Sequence, residues 1–199
     1  HYACINRLDN EFLHMAALFA PTAVYFLTPR GVQSMAFSEL CPAVTLECGK
    51  AGTKSGIKHA LEYVEAVLHM SNIPRHKIAA QDLHLFHTIA RVKVPDNVSF
   101  SFTDKQANIL FNSELEKMNF SEVPADTCFG KVNKHSRTRH LAAFNDDNED
   151  VGGDIFYIAD DKILLKYPMM PAMLTLDENV IRQDCLCYMM ERMMLPDVK

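Results

Sequence analysis

Glu47 is the side chain of this sequence best placed to do chemistry. It lies in the run Pro42-Ala-Val-Thr-Leu-Glu-Cys-Gly49, where an apolar, β-forming segment ends on a carboxylate and a glycine turn follows. That pattern predicts a buried, parallel-type strand with Glu47 at its carboxyl end, the edge at which open α/β sheets bind ligands. A partly desolvated carboxylate there is suited to taking a proton from a nucleophile and handing it to a leaving group. The other reading open to it is a residue that ends the strand and caps the next turn. Arg30, in the loop Pro29-Arg-Gly31, offers a guanidinium that either pairs with an anionic substrate group or faces solvent.

The nine histidines do not converge on a metal by spacing. His84 and His87 are three apart on an expected strand and therefore face opposite sides. His59-Ala-Leu-Glu62 has the form His-x-x-Glu, but its helical position puts both residues on a polar, solvated face. His14 and His69 have no carboxylate or cysteine at ligand spacing. His135 and His140 fall in a basic loop with Lys134, Arg137 and Arg139, exposed and able at most to meet an anion. Asp82-Leu83-His84 lies after Glu47, at a change of chain character. Cys185-Leu-Cys187 lacks the spacing of zinc or redox pairs. Asp146-Asp-Asn-Glu-Asp150 lacks the spaced calcium-loop pattern and reads as a solvated acidic turn. No dinucleotide, phosphate-loop or serine-hydrolase signature occurs.

Composition narrows the classes further. A chain of 199 residues with 48% hydrophobic content and net charge −5 folds as one large or two small domains. Mild acidity argues against a general nucleic-acid binder, which needs a basic face. The longest apolar stretch, residues 15–27, is interrupted and falls short of the ~20 residues of a membrane span. With no signal peptide and six cysteines in largely apolar settings, the expectation is reduced thiols in a cytoplasmic protein.

The elements that must position Glu47 can be traced along the chain. Residues 9–20 carry an amphipathic helical stripe closed by Pro21, and residues 22–28 form an apolar strand between two prolines. The strand with Glu47 follows, then a helix from Ser55 to about residue 70. Ile57, Ala60, Leu61, Val64, Val67 and Leu68 share one face of that helix, expected to cover the sheet. The composition changes at 72–77, so residues 1–72 read as an α/β portion and 73–199 as a second domain. In the latter, residues 83–94, 98–102, 127–132, 154–159 and 162–167 predict short antiparallel strands of a barrel or sandwich. A final helix is expected over 178–194, capped by Asp177 and apolar nearly all round.

The segment Pro42 to Gly49, followed by Gly56-Ile-Lys-His-Ala-Leu61, resembles the strand-turn-helix segment of the succinylglutamate desuccinylase/aspartoacylase family. These are zinc-dependent hydrolases with a carboxypeptidase-like α/β layer and an appended β domain. The resemblance implies that the chain is the C-terminal part of such an α/β layer, followed by a small antiparallel β domain and a final helix. It implies that Glu47 is the general base in hydrolysis of an N-acyl amino acid or peptide-like amide. Zinc, the implied cofactor, polarises the carbonyl and acidifies its water. The family's ligands, a His-x-x-Glu pair and the His of an Asp-Leu-His, precede the matched region, so no metal ligand is assigned within these residues. The chain by itself is then expected to be inactive. The His1 start fits a position inside the first domain. Aspartoacylases hold a substrate carboxylate with an arginine ahead of the catalytic Glu; residues 33–40 have none, and Arg30 is the substitute. The expected partner is a small-molecule substrate, with no nucleic acid and no membrane, and homo-oligomers are open to the chain. The competing expectation is a non-catalytic binding or assembly module with a degenerate α/β portion.

Overall fold

Tyr2-Ala-Cys-Ile5 alternates half-buried and fully buried residues and forms the first strand, β1 (Tyr2–Ile5). Four residues are too few for periodicity to reveal from sequence. The computed structural model describes residues 1–49, 52–133 and 141–196. Two compact units divide inside a single strand. Unit 1 comprises His1–His87 with Arg192–Lys199, and unit 2 comprises Thr88–Glu191.

In unit 1, β1 is followed by α1 (Asn10–Phe19), β2 (Thr22–Tyr25), α2 (Gln33–Ser38), β3 (Thr45–Glu47), α3 (Lys54–His69) and the start of β4 (His84–Lys93). α1 follows the predicted stripe, burying Phe12, Leu13, Met15, Ala16 and Phe19, and stops before Pro21, which cannot continue a helix. β1 pairs parallel with β2, and β2 parallel with β4. β3 pairs antiparallel with β1, at the end of the strand order. The expectation of a buried parallel strand for Glu47 is therefore corrected. Pairing partners are set by non-local contacts, and an apolar run reads alike in either direction.

One face of this sheet carries Ala3, Ile5, Ala23, Leu85 and Leu46 and joins α1 and Tyr63 in the unit's apolar core. The segment at which the composition changes, residues 72–77, is tied to this core. Ile78 is buried in it, Arg75 O accepts from Asn10 Nδ2 at 3.0 Å, and His76 O lies 2.8 Å from His14 Nε2.

α3 has nearly the predicted extent, with Thr53 and not Ser55 at its cap position. Its orientation is the reverse of the one predicted. Gly56 and Tyr63 are buried, with His59 and Val67 half-buried on the same side, whereas Ile57, Leu61, Val64 and Leu68 are exposed. A Cβ on Gly56 would stand 2.3 Å from the Cys48 carbonyl oxygen. Only a glycine lets the helix approach the end of β3 so closely.

Unit 2 contains the rest of β4, β5 (Phe100–Ser101), β6 (Ile109–Phe111), β7 (Cys128–Val132), β8 (Ala142–Phe144), α4 (Gly152–Ile155), β9 (Phe156–Ala159), β10 (Lys162–Leu165), β11 (Met170–Ala172), α5 (Glu178–Gln183) and most of β12 (Cys187–Met193). One sheet runs β5-β6-β7-β10-β9 and is antiparallel except for β5 with β6. β11 with β12 and β4 with β8 form further antiparallel pairs. Phe111, Phe129, Phe156, Ile163, Leu165, Leu186 and Met189 meet in one closed core.

The expected final helix is corrected here. Asp177 does cap α5, accepting from Asn179 N and Val180 N at 2.9 and 3.3 Å, but the helix ends after six residues. Asp184 leaves the helical region, and residues 187–193 continue as β12. A segment apolar all round fits a strand buried on both faces as well as a buried helix.

Candidate functional site

Glu47 closes β3, and the chain turns sharply after it through Gly49 at φ 84° into α3. Antiparallel register sets Glu47 opposite Tyr2, and Thr45 opposite Cys4. Directly opposed residues point to the same side of a sheet, so Tyr2, Cys4, Thr45 and Glu47 share one face. Continuing the register through β2 and β4 adds Thr22, Val24, His84 and Phe86 to that face, the one turned away from the unit 1 core. The Arg192 guanidinium lies over the Phe86 ring at 4.7 Å, and its Nη1 is 3.4 Å from His84 Nδ1.

Electrostatics link Glu47 to its neighbours. Burial pushes the Cys4 thiol up to about 12, and the negative charge of Glu47 adds to that rise. Burial likewise raises Tyr2, with Cys4 and Glu47 contributing in turn. Both groups stay protonated at neutral pH, so β1 presents a hydroxyl and a thiol beside a carboxylate. Glu47 is half-buried. With both groups raised, neither Tyr2 nor Cys4 is an activated nucleophile.

His1 and His59 lie close by. Their rings stack at 4.3 Å, and His1 Cε1 would be 3.8 Å from a Cβ on Gly49. His59 is not the solvated surface residue expected. Its Nε2 lies 2.7 Å from the Phe19 carbonyl oxygen and its ring contacts Phe19 at 4.5 Å, while Glu62 stays on the surface with Lys58 at 3.5 Å. The His-x-x-Glu residues therefore point apart. Among the described residues no three His, Cys, Asp or Glu side chains are grouped to hold a metal ion. His84 and His87 do face opposite sides, His87 lying beside Tyr25 at 5.2 Å on the core side. The basic loop with His135 and His140 lies outside the described residues.

Arg30 is exposed in the loop beyond β2. β1 and β2 run parallel and β3 runs against them, so β2 ends at the opposite edge of the sheet from Glu47. No hydrogen bond or ion pair joins the two among the described residues. A depression of about 600 Å³ is lined by Glu11, Pro42, Asn72, Ile73 and Arg75, none of them on the face that carries Glu47. The sequence reading overlooked Tyr2, Cys4 and Arg192. β1 is too short for its alternation to mark the first two, and no signal existed for Arg192.

Among solved structures, the fold is shared with a succinylglutamate desuccinylase from Chromobacterium violaceum at TM-score 0.51 and 15% identity, over 98% of this chain and 50% of that one. A succinylglutamate desuccinylase/aspartoacylase from Rhodobacter sphaeroides gives 0.53 and 16%, over 96% and 53%. A succinylglutamate desuccinylase from Vibrio parahaemolyticus gives 0.50 and 12%, over 96% and 49%. The likeness is one of fold, and the chain spans about half the length of each of these proteins. The resemblance expected from the residues around Glu47 is thus met at the level of the mixed α/β architecture. No protein-family model matches the sequence, and no curated protein does. No helix among the described residues is long and apolar enough to cross a membrane.

Proposed function

We propose that this chain forms part of a hydrolase that cleaves an N-acyl amino acid or a peptide-like amide, with Glu47 as its general base. One observation carries the reading: a half-buried carboxylate ends a strand at a glycine turn, in a fold shared with desuccinylase and aspartoacylase structures. Glu47 takes a proton from the attacking water and delivers it to the departing amine nitrogen. Tyr2 and Cys4, held protonated by burial, line the carboxylate without competing for that proton. Arg30 is not included, because it follows the opposite edge of the sheet.

The described residues do not fit a zinc site, so the metal that the fold resemblance implies would take its ligands from outside them. The expected outcome of metal analysis on the purified 199-residue chain is no stoichiometric zinc. One tightly bound zinc per chain would overturn that assignment. For the reaction itself, Glu47→Gln in the active protein should lower turnover of N-acyl amino acids by about 10²–10⁴-fold, the usual range for a lost acid/base group. Undiminished turnover removes Glu47 from the mechanism. Failure of the unaltered protein to cleave any member of an N-acyl amino acid panel removes the substrate class.

A further inference from the structure

Hydrolysis of an amide makes two demands at the attacked carbonyl. As water adds, one of its protons must go to a base, and the π electrons of the C=O bond collect on the carbonyl oxygen. Glu47 meets the first demand only, because an ionised carboxylate accepts hydrogen bonds and has none to give. The second demand calls for a fixed donor aimed at the developing oxyanion.

Tyr2 is the donor best placed for it. Tyr2 opens β1 where Glu47 closes β3, and the two stand directly opposite each other. Opposed residues have Cβ atoms about 4.5–5.5 Å apart, so a carboxylate and a phenolic hydroxyl rise side by side from one end of the sheet. The other polar groups on this face are weaker candidates. Thr45 Oγ1 already donates to Ser34 Oγ at 3.1 Å. Cys4, two residues further along β1, carries a thiol, which is a poor donor. Thr22 lies beyond Tyr2, two strands from Glu47. His84 is three strands away, roughly 14 Å across the sheet, with its Nδ1 beside Arg192.

The hydroxyl is also kept in its donating form. Burial raises Tyr2 well above the usual tyrosine range, and Cys4 and Glu47 add to the rise. A neutral phenol can stabilise negative charge on a substrate oxygen without bringing a charge of its own to the resting site.

We infer that the Tyr2 hydroxyl is the oxyanion donor of the reaction assigned to Glu47, hydrogen-bonding the carbonyl oxygen of an N-acyl or peptide-like amide as its carbon becomes tetrahedral. The inference rests on that reading of Glu47. In the addition step the water oxygen bonds to the carbonyl carbon, Glu47 takes one water proton, and the C=O π pair moves onto the oxygen that Tyr2 meets. In the collapse that pair re-forms the C=O bond, the C–N bond breaks, and the amine leaves with the proton Glu47 held. Tyr2 keeps its own proton throughout, so it serves as a donor and not as an acid.

Tyr2→Phe in the active protein tests the role, since it removes the oxygen and keeps the ring, with circular dichroism confirming retained fold. Turnover (kcat) should fall about 10²–10³-fold while KM changes by less than about threefold, the pattern of a contact made only in the transition state. The factor should be the same at every pH of the profile. Affinity for a phosphonate analogue of the tetrahedral intermediate should fall by a similar factor. A kcat within about threefold of the unaltered protein overturns the inference, as does a loss confined to KM, or one that disappears on one side of the pH profile. Glu47→Gln separates the two proposals. If it lowers turnover and Tyr2→Phe does not, Glu47 stands and Tyr2 falls. If Glu47→Gln leaves turnover undiminished, or the unaltered protein cleaves no N-acyl amino acid or peptide-like amide, both fall.

Discussion

Phe129, in the middle of unit 2, has no exposed surface, whereas Leu61, in the middle of α3 in unit 1, keeps more than half of its own. Both are large apolar side chains on regular elements, so propensity does not separate them. Their settings do. Unit 2 closes its strands over a single core in which Phe111, Phe129 and Phe156 are all nearly inaccessible. Unit 1 spends one side of α3 on its core and leaves a four-residue apolar line in water. It also ends its sheet at β3, the strand that carries Glu47. Unit 2 thus behaves as a self-sufficient hydrophobic body. Unit 1 carries Glu47 on the last strand of its sheet order and the exposed apolar line of α3.

The contrast can be broken by substitution, with the largest effect expected in unit 2. Phe129→Ala should cost about 3–5 kcal/mol in denaturant-induced unfolding, since a closed core cannot refill the cavity. A loss below ~1 kcal/mol would show that this core is loosely packed. Gly56→Ala should follow, at about 1–3 kcal/mol. Alanine is the better helix former, but its Cβ meets the Cys48 carbonyl and the backbone must shift. A gain in stability would mean that α3 has room to move off β3. Leu61→Ala should change the stability of this chain by no more than ~0.5 kcal/mol, because the side chain is more than half exposed. A loss comparable to that of Phe129→Ala would place Leu61 in a core and erase the distinction.

What the sequence disclosed follows the same division between local and non-local information. α1 was legible because its stripe is broad and Pro21 ends it. The Asp177 cap was legible because an Asx side chain at that position binds its own helix. The place of Glu47 at a strand end was legible from the glycine turn, and the fold resemblance from residues 42–49 and 56–61. The antiparallel, edge setting of β3 was not, because nothing within Thr45–Glu47 encodes which strand lies alongside. Periodicity found the apolar line of α3 and then misdirected it. A stripe at helical spacing says that something will cover it, without saying whether the cover lies inside the unit. Likewise the Met-rich end of the chain advertised burial on all sides, and burial alone does not choose between helix and strand. β1, α2, β6 and β11 are each six residues or fewer, too short for any period to register.

One detail of unit 1 bears on how the protein is made. Arg192 lies over Phe86, and Met193 and Leu195 pack on the unit 1 core, though all three follow the whole of unit 2 in the chain. A ribosome therefore delivers the sheet of unit 1 first and its closing residues last. At ordinary synthesis rates the interval is roughly 5–20 s, the time needed to make unit 2. During that wait the nascent β4 carries Phe86 without its guanidinium cover. Of the two units, the one begun first is the last to be finished, and unit 2 has all of its residues before that happens.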